Sequence, residues 1–427
     1  MPNNRCGFMH NLRSRIENIK KSKDAKKVVS NFSYLTILQI GGYIFPIITY
    51  PYLARVIGVS GFGKIAFAMS LIVYISTFID WGYNFTATRD VAKNSGDKRI
   101  IGEIYSTVMT GKTILTIISL VISGILILSI PYFYSNALIL IFSFTIVLGQ
   151  LLFPEWLFQG LENMRLVTVL NILSKLLFTV AIFIFIKKPD DYIYQPLLYG
   201  CGYILSGIIS IYIVRKKLNI KFKWASFSST IDSMKKSSSV FINNLMPNLY
   251  TSCSVLLRGM DGGSIPNGYL DGANKFYSIG AQFLTVLSRA FFPFLSRRIE
   301  KHNSFVYIKM LFTIIIATIL IVFAPTLIHI FLDNSFESSI IPLRILAISL
   351  IFHSITNIYG TNYLIIIGKE TELRNITIIV SIVSFLITIP AVYFYSYIGA
   401  ACTIAFARII LGVSVYIAAK RNMKTNM

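Results

Sequence analysis

Apolar runs of about 20 residues recur from residue 29 almost to the end of the chain, separated by short polar segments. At 1.5 Å rise per residue, a run of that length matches the ~30 Å hydrocarbon core of a bilayer, and it is twice what a barrel strand needs. The pattern predicts an all-α, polytopic membrane protein. Twelve spans can be drawn, at 29–53, 64–86, 112–134, 136–158, 167–186, 193–214, 239–257, 273–295, 305–331, 342–366, 374–394 and 398–419.

The cations between the spans supply the topology. With the N-terminus cytoplasmic, inner segments carry 30 Lys and Arg and outer loops carry 5. That asymmetry is the positive-inside bias, and an odd span count would scramble it. Both termini are thus expected to be cytoplasmic. The longest internal polar stretch, 215–238, joins six spans to six, so the chain divides into a basic tail (1–28), a first bundle (29–214), a basic linker (215–238) and a second bundle (239–427). In the tail, Met9, Leu12, Ile16 and Ile19 recur at helical spacing among Arg and Lys, the pattern of a surface-lying amphipathic helix or of a disordered basic arm.

Inside the spans the polar positions are not random. Lys275, Gln282 and Arg289 are seven apart, which drifts only about 20° per step and draws one line of ~21 Å along a helix. Ser278 and Thr285 repeat the spacing beside it. Ser76, Asp80, Asn84 and Thr88 share one face of the second span, Asn244, Asn248 and Ser252 one face of the seventh, and Ser349, His353, Asn357 and Thr361 one face of the tenth. Asn and Ser stripes serve as interhelical hydrogen-bond glue in many bundles. A line holding Lys and Arg points instead to a water-filled interior, because an ionised group at the bilayer centre costs about 2.5–3.5 kcal/mol. Lys175 and Arg408 fall within spans as well, whereas Arg344, at a span edge, can snorkel. The third span is mostly Ile, Leu, Val and Ser and is expected on the outside of the bundle. Pro46 and Pro247 interrupt the first span of each half as hinges or kinks.

Composition narrows the function. The 427 residues are 55% hydrophobic and 14% charged, with mean hydropathy +0.67. The net charge of +22 is dispersed over loops rather than gathered on a polar domain, which argues against nucleic acid. Cys6, Cys201, Cys253 and Cys402 are scattered singly, as small apolar fillers are. The GKT at 111–113 lacks a Walker glycine, since position 106 is serine, so no phosphate loop is expected. A membrane-embedded polymerase or glycosyltransferase is the enzyme alternative. It would need a catalytic loop outside the spans. The longest outer loop, 258–272, offers only Asp261 and Asp271 among five glycines and reads as a flexible turn.

PEWLFQGLENMR (154–165), PYLARVIGVSGFG (51–63) and NFTATRDVA (84–92), with PFLSR (293–297) and YIGAA (397–401), resemble the hallmarks of bacterial polysaccharide-transport flippases. That family lies in the multidrug/oligosaccharidyl-lipid/polysaccharide exporter superfamily. The resemblance covers the whole chain. It implies two six-helix bundles around a central cationic cavity in the bacterial inner membrane, working by alternating access. The implied substrate is an undecaprenyl-pyrophosphate-linked oligosaccharide repeat unit, an O-antigen or capsule precursor. A polysaccharide polymerase and a chain-length regulator are the implied partners. Multidrug relatives commonly carry an acid in the first helix, and 29–53 has none. Lipid II flippases carry two further helices and first-helix arginines, absent here.

On this basis Lys275, Gln282 and Arg289 are expected to contact the pyrophosphate or acidic sugars, with Arg408 and Lys175 as further substrate-binding candidates. Charge-assisted contacts to phosphate are the strong kind. Asp80 and Glu155 are candidates for H⁺ or Na⁺ coupling, or for structural ion pairs; no other cofactor and no metal is expected. Arg89 with Asp90 reads as a positive-inside anchor, and Gln159, Gly160, Glu162 and Arg165 as a tight interhelical loop.

Overall fold

The computed structural model describes residues 23–260 and 263–425. These are helical nearly throughout, with no strand among the described residues. The helices are α1 (Lys23–Asp80), α2 (Tyr83–Lys93), α3 (Lys98–Ser129), α4 (Ala137–Leu152), α5 (Glu155–Gly160), α6 (Met164–Phe185) and α7 (Tyr194–Lys216). After an extended stretch come α8 (Phe227–Leu245), α9 (Asn248–Met260), α10 (Ser264–Arg297), α11 (His302–Val322), α12 (Ala324–Phe331), α13 (Ile340–Ile355) and α14 (Glu370–Thr425), with a wide π-helical turn at Thr356–Leu364 before α14. The proposed tail helix and Asp261 lie outside the described residues.

Nine helical stretches among the described residues are long and apolar enough to cross a membrane. Two of them, Ile37–Lys93 and Glu370–Met423, hold 57 and 54 residues. At 1.5 Å per residue each is about 80 Å long, far beyond one hydrocarbon thickness. Each is broken near its middle at a residue with positive φ, and the first turns again at Trp81 and Gly82. Gly58 (φ 63°) breaks α1, and Ser396 (φ 56°) breaks α14. Glycine meets the left-handed geometry at no steric cost.

The loop expected at 258–272 is largely helix. α10 begins at Ser264, and Gly272 sits within it against Leu332 and Phe336. The glycines there serve close packing, the opposite of the flexible turn read from composition. The third span likewise begins earlier than expected. α3 starts at Lys98, where the Asp97 carboxylate caps the Arg99 and Ile100 amides. Its later part does present Ile118, Val121, Ile122, Ile125 and Leu128 outward. Pro46 is accommodated inside α1, whereas Pro247 stands in the gap between α8 and α9.

Small residues set the tightest contacts, as membrane packing without a hydrophobic drive requires. Gly149 and Gly207 bring α4 against α7; side chains there would strike Tyr203 and Leu152. Two sequence motifs meet where Thr88 of α2 donates to the Trp156 carbonyl of α5 at 3.1 Å and Gly160 abuts Val91. The closest approach joins α1 to α10. Gly63 of α1 lies on the Ser264 carbonyl and Gly268 of α10 on the Val59 carbonyl, with the Ser60 and Ser264 hydroxyls 3.1 Å apart. No Cβ fits at either glycine.

Gly268→Val is expected to lower the melting midpoint of the detergent-solubilised protein through an overpacking cost of about 1–3 kcal/mol. Gly124→Ala, in the interior of α3 with nothing within 4 Å of the added methyl, is the control expected to hold or slightly raise the midpoint in the same scanning-fluorimetry experiment.

Candidate functional site

Two of the cavities among the described residues lie between helices from the first and second halves of the chain and are lined by charged side chains. The larger, about 540 Å³, is lined by Asp80, Asn84, Lys112, Glu155, Tyr203 and Asn244, among others. It gathers the expected polar faces of the second and seventh spans with Glu155 of α5. Lys112 Nζ stands 3.0 Å from Asp80 Oδ1, with the side chains only 9% and 16% exposed. Glu155 accepts from Gln159 Nε2 at 3.0 Å and lies in electrostatic reach of both Lys112 and Lys175. Acids and bases thus alternate from Asp80 through Lys112 and Glu155 to Lys175, which lines the second cavity. Asp80 is engaged as a structural ion pair, one of the two roles left open for it. Breaking such a pair from one side leaves an uncompensated charge in a low-dielectric site.

The second cavity, about 240 Å³, is lined by Lys175 of α6 and Lys275 of α10, with Gly42, Tyr50, Gln195 and Tyr199. Lys275 Nζ is 3.3 Å from Asp271 Oδ2 and 4.8 Å from the Tyr50 ring centroid. Lys175 Nζ and Gln282 Nε2 converge on Gly42, at 3.7 and 3.8 Å from where a side chain would begin. Gln282 Nε2 also donates to Gln39 Oε1 at 3.0 Å. Glycine at position 42 leaves the room in which an amine from α6 and an amide from α10 approach one another across α1.

Depths follow from helix geometry, measured from the end where Gly63 meets Ser264. Tyr52 donates to the Ile186 carbonyl at 2.6 Å, which sets the end of α6 beside α1 shortly before its break at Gly58. Lys275, eleven residues along α10 from Ser264, lies about 16 Å in, and the Lys175 amine, beside Gly42 and Gln282, lies farther in. Lys112, seventeen residues before Ser129, lies about 25 Å in. The cavities therefore succeed one another along the bilayer normal.

The remaining sequence candidates lie elsewhere. Arg289, exposed, is two helical turns beyond Gln282 and lines neither cavity. Arg408 of α14 donates to Ser349 Oγ at 3.2 Å, with its guanidinium 3.9 Å from the Tyr277 ring centroid. It is held by hydrogen bonding and cation–π contact among α10, α13 and α14. His353 and Asn357 pair with each other at 3.0 Å. Arg89 and Asp90 form an exposed pair at 3.4 Å.

A third cavity is almost wholly apolar. It measures about 450 Å³ and runs between α1 and α10–α12, lined by Pro46, Ile47, Phe276, Phe283, Phe312 and Leu327. Lys275 lines this one too, so its side chain stands between an apolar groove, which its methylene stem faces, and a polar chamber.

Three charged residues were placed wrongly or passed over from sequence. Lys112 and Lys309, at the inner ends of the spans drawn at 112–134 and 305–331, are among the 30 cations assigned to inner segments, yet both are buried in helices. Lys309 Nζ has no hydrogen-bond partner and stands 5.8 Å from the Phe305 ring centroid. Asp271 was read as part of a loop and instead neutralises Lys275 at i, i+4, a spacing visible in the sequence.

Kinked membrane-length helices, a glycine seam and stacked polar cavities make this a transporter fold. It is similar to the lipid II flippase MurJ in an inward closed conformation, at TM-score 0.74 and 15% identity, covering 92% of this chain and 87% of that one. It is also similar to an inward-facing multidrug resistance MATE family transporter of the MOP superfamily, at TM-score 0.62 and 16% identity, with 88% and 95% covered. The chain belongs to the polysaccharide biosynthesis protein family, which its residues 28–299 match. It is 27% identical over 382 residues to a “Putative O-antigen transporter” of Escherichia coli (strain K12), covering 88% of this chain and 92% of the relative. A protein of the same name from Shigella dysenteriae is 28% identical over 387 residues, with 89% and 97% covered. These named relatives are transporters rather than polymerases, and the chain is a multi-pass membrane protein.

Asp80→Asn alone is expected to destabilise the protein by about 3–5 kcal/mol, read as loss of membrane-inserted protein. Asp80→Asn with Lys112→Met should restore most of it. Equal accumulation of the single and double variants would mean that the Lys112–Asp80 pair contributes nothing to stability.

Proposed function

We propose that the protein is a flippase for undecaprenyl-pyrophosphate-linked oligosaccharide repeat units, O-antigen or capsule precursors. It moves them from the cytoplasmic to the periplasmic leaflet of the bacterial inner membrane by alternating access. In this reading the chain crosses the membrane twelve times with both termini in the cytoplasm. The two long helices each count as two crossings, at Gly58 and Ser396. Two six-helix halves, joined by residues 215–238, rock about the cavities between them.

The observation that carries the reading is the position of Lys275 at the junction of a polar chamber and an apolar groove. A lipid-linked pyrophosphate is an amphiphile with an anionic joint. Lys275 and Lys175, which line one chamber, suit the joint, and the apolar groove suits a hydrocarbon tail. The carboxylate of Asp271 holds Lys275 until a phosphate displaces it. Gln282 and Arg289 continue the approach along α10 toward the cytoplasm, and Lys112 stands in the larger chamber below. The lysine and arginine bias puts the seam of Gly63 and Gly268 on the periplasmic side, so the outer path is shut while the larger chamber faces inward. The family match and the names of the relatives point to the same class of cargo.

A cation-coupled cycle is the second element. Glu155, between Lys112 and Lys175, is the better placed of the two acids, since Asp80 is already paired at 3.0 Å.

Asp271→Asn with Lys275→Gln, added to Lys175→Gln, is expected to cut surface polysaccharide at least tenfold at unchanged protein level. Immunoblotting of the glycan and of the flippase reads both quantities. Undiminished glycan in the triple variant would remove the proposed role of these lysines.

Glu155→Gln should abolish the response of vesicle transport to imposed pH or Na⁺ gradients while leaving downhill flipping measurable. Transport that ignores both gradients in the unmodified protein would remove coupling altogether.

A further inference from the structure

Residues 217–226, between α7 and α8, form an extended strap laid along the first third of α3. Asn219, at φ 59°, turns the chain, a conformation Asn tolerates well. Ile220 is buried against Ile101 and Tyr105. The Lys223 amide donates to Ser106 Oγ and the Ala225 amide to Thr110 Oγ1, each at 3.1 Å. Side-chain hydroxyls thus hold the strap's backbone in a fixed register on α3.

That register fixes depth. Thr110 is nineteen residues from the end of α3 at Ser129, about 28 Å, one hydrocarbon thickness. Ala225 therefore sits at the hydrocarbon boundary, and Ile220, beside Gly102, lies about 12 Å farther out. Trp224 and Phe227, 67% and 74% exposed, flank the boundary, where aromatic side chains favour the interface. Arg215, Lys216, Lys217, Lys221 and Lys223 are all exposed on the headgroup side of it. None of the five makes an ion pair with a described residue.

We propose that this strap is a docking surface for anionic phospholipid headgroups of the membrane the protein spans. The unpaired cations attract the headgroup phosphates, and Trp224 and Phe227 insert at the glycerol level beside them. The occupant follows from charge complementarity and from depth. The proposal does not depend on what is transported, and only the naming of the leaflet as cytoplasmic rests on the reading above. Because the strap is fastened to α3 and leads directly into α8, lipid held there grips the joint between the two parts of the chain.

The test uses the full-length protein in nanodiscs of phosphatidylcholine with a minor fraction of phosphatidylglycerol, the bromine carried on one lipid or the other. Quenching lost in Trp224→Phe defines the Trp224 signal. Per molecule of lipid, brominated phosphatidylglycerol should quench it about fivefold more than brominated phosphatidylcholine, the factor that ~1 kcal/mol near a charged surface gives. Replacing Arg215, Lys216, Lys217, Lys221 and Lys223 by Gln should abolish the preference, and soluble glycerol phosphate should leave it intact. Equal quenching by the two lipids, no quenching at all, or a preference that survives the five replacements would overturn the proposal. Absence of glycan transport by the unmodified protein, with the preference intact, would leave it standing and fault the flippase reading instead.

Discussion

Hydrocarbon does not solvate charge, and that constraint orders the interior of this protein. Every ionised group inside the helical bundle needs a counter-charge, an aromatic face or water. Lys112 meets the requirement with Asp80, Lys275 with Asp271 and Tyr50, and Arg408 with Ser349 and Tyr277. Lys175 meets it with a polar cavity and the field of Glu155. Lys309, with only a distant ring, is the exception among the described cations. Where counter-charge comes from a carboxylate one helical turn away, an incoming phosphate can replace it without moving the backbone. Lys275 is in that position, and Arg408, wedged between three helices, is not.

A second constraint concerns backbone approach. α1 and α10 touch through Gly63 and Gly268 so closely that no side chain fits, and the serines beside them hydrogen-bond across the seam. Contacts of this kind are flat and carry little interlocking side-chain surface. They suit an interface that parts and re-forms better than an interdigitated core would. The apolar cavity beside Lys275 lies below this seam, so the same two helices bound the seal, the charged site and the groove. Opening the seam would move all three together.

Much of this was legible in the sequence because bilayer thickness fixes helix length. The breaks near residues 58 and 396 and the shared polar faces of Asp80, Asn84 and Asn244 follow from run length and period, whereas the contact that joins α2 to α5 does not. The failures share one physical origin. A lysine near the end of an apolar run looks the same whether it snorkels or turns inward, so Lys112 and Lys309 were assigned to loops. Glycines at 263, 268 and 272 were taken for flexibility, yet in membranes glycine is as often a surface for close packing. The line from Lys275 to Arg289 is real as helix geometry, but its members have different surroundings. Sequence spacing gives a helical face; it does not give the depth of the chamber that face meets.

The most direct measurement is a reversible lock on the seam. Serines 60 and 264, replaced by cysteine in a chain whose four native cysteines are serine, should form a disulfide under mild oxidation, since their hydroxyls lie 3.1 Å apart. The account predicts that the oxidised protein stops delivering glycan across the membrane and that reduction restores delivery. Full transport by quantitatively cross-linked protein would contradict it, because the path would then not open between α1 and α10.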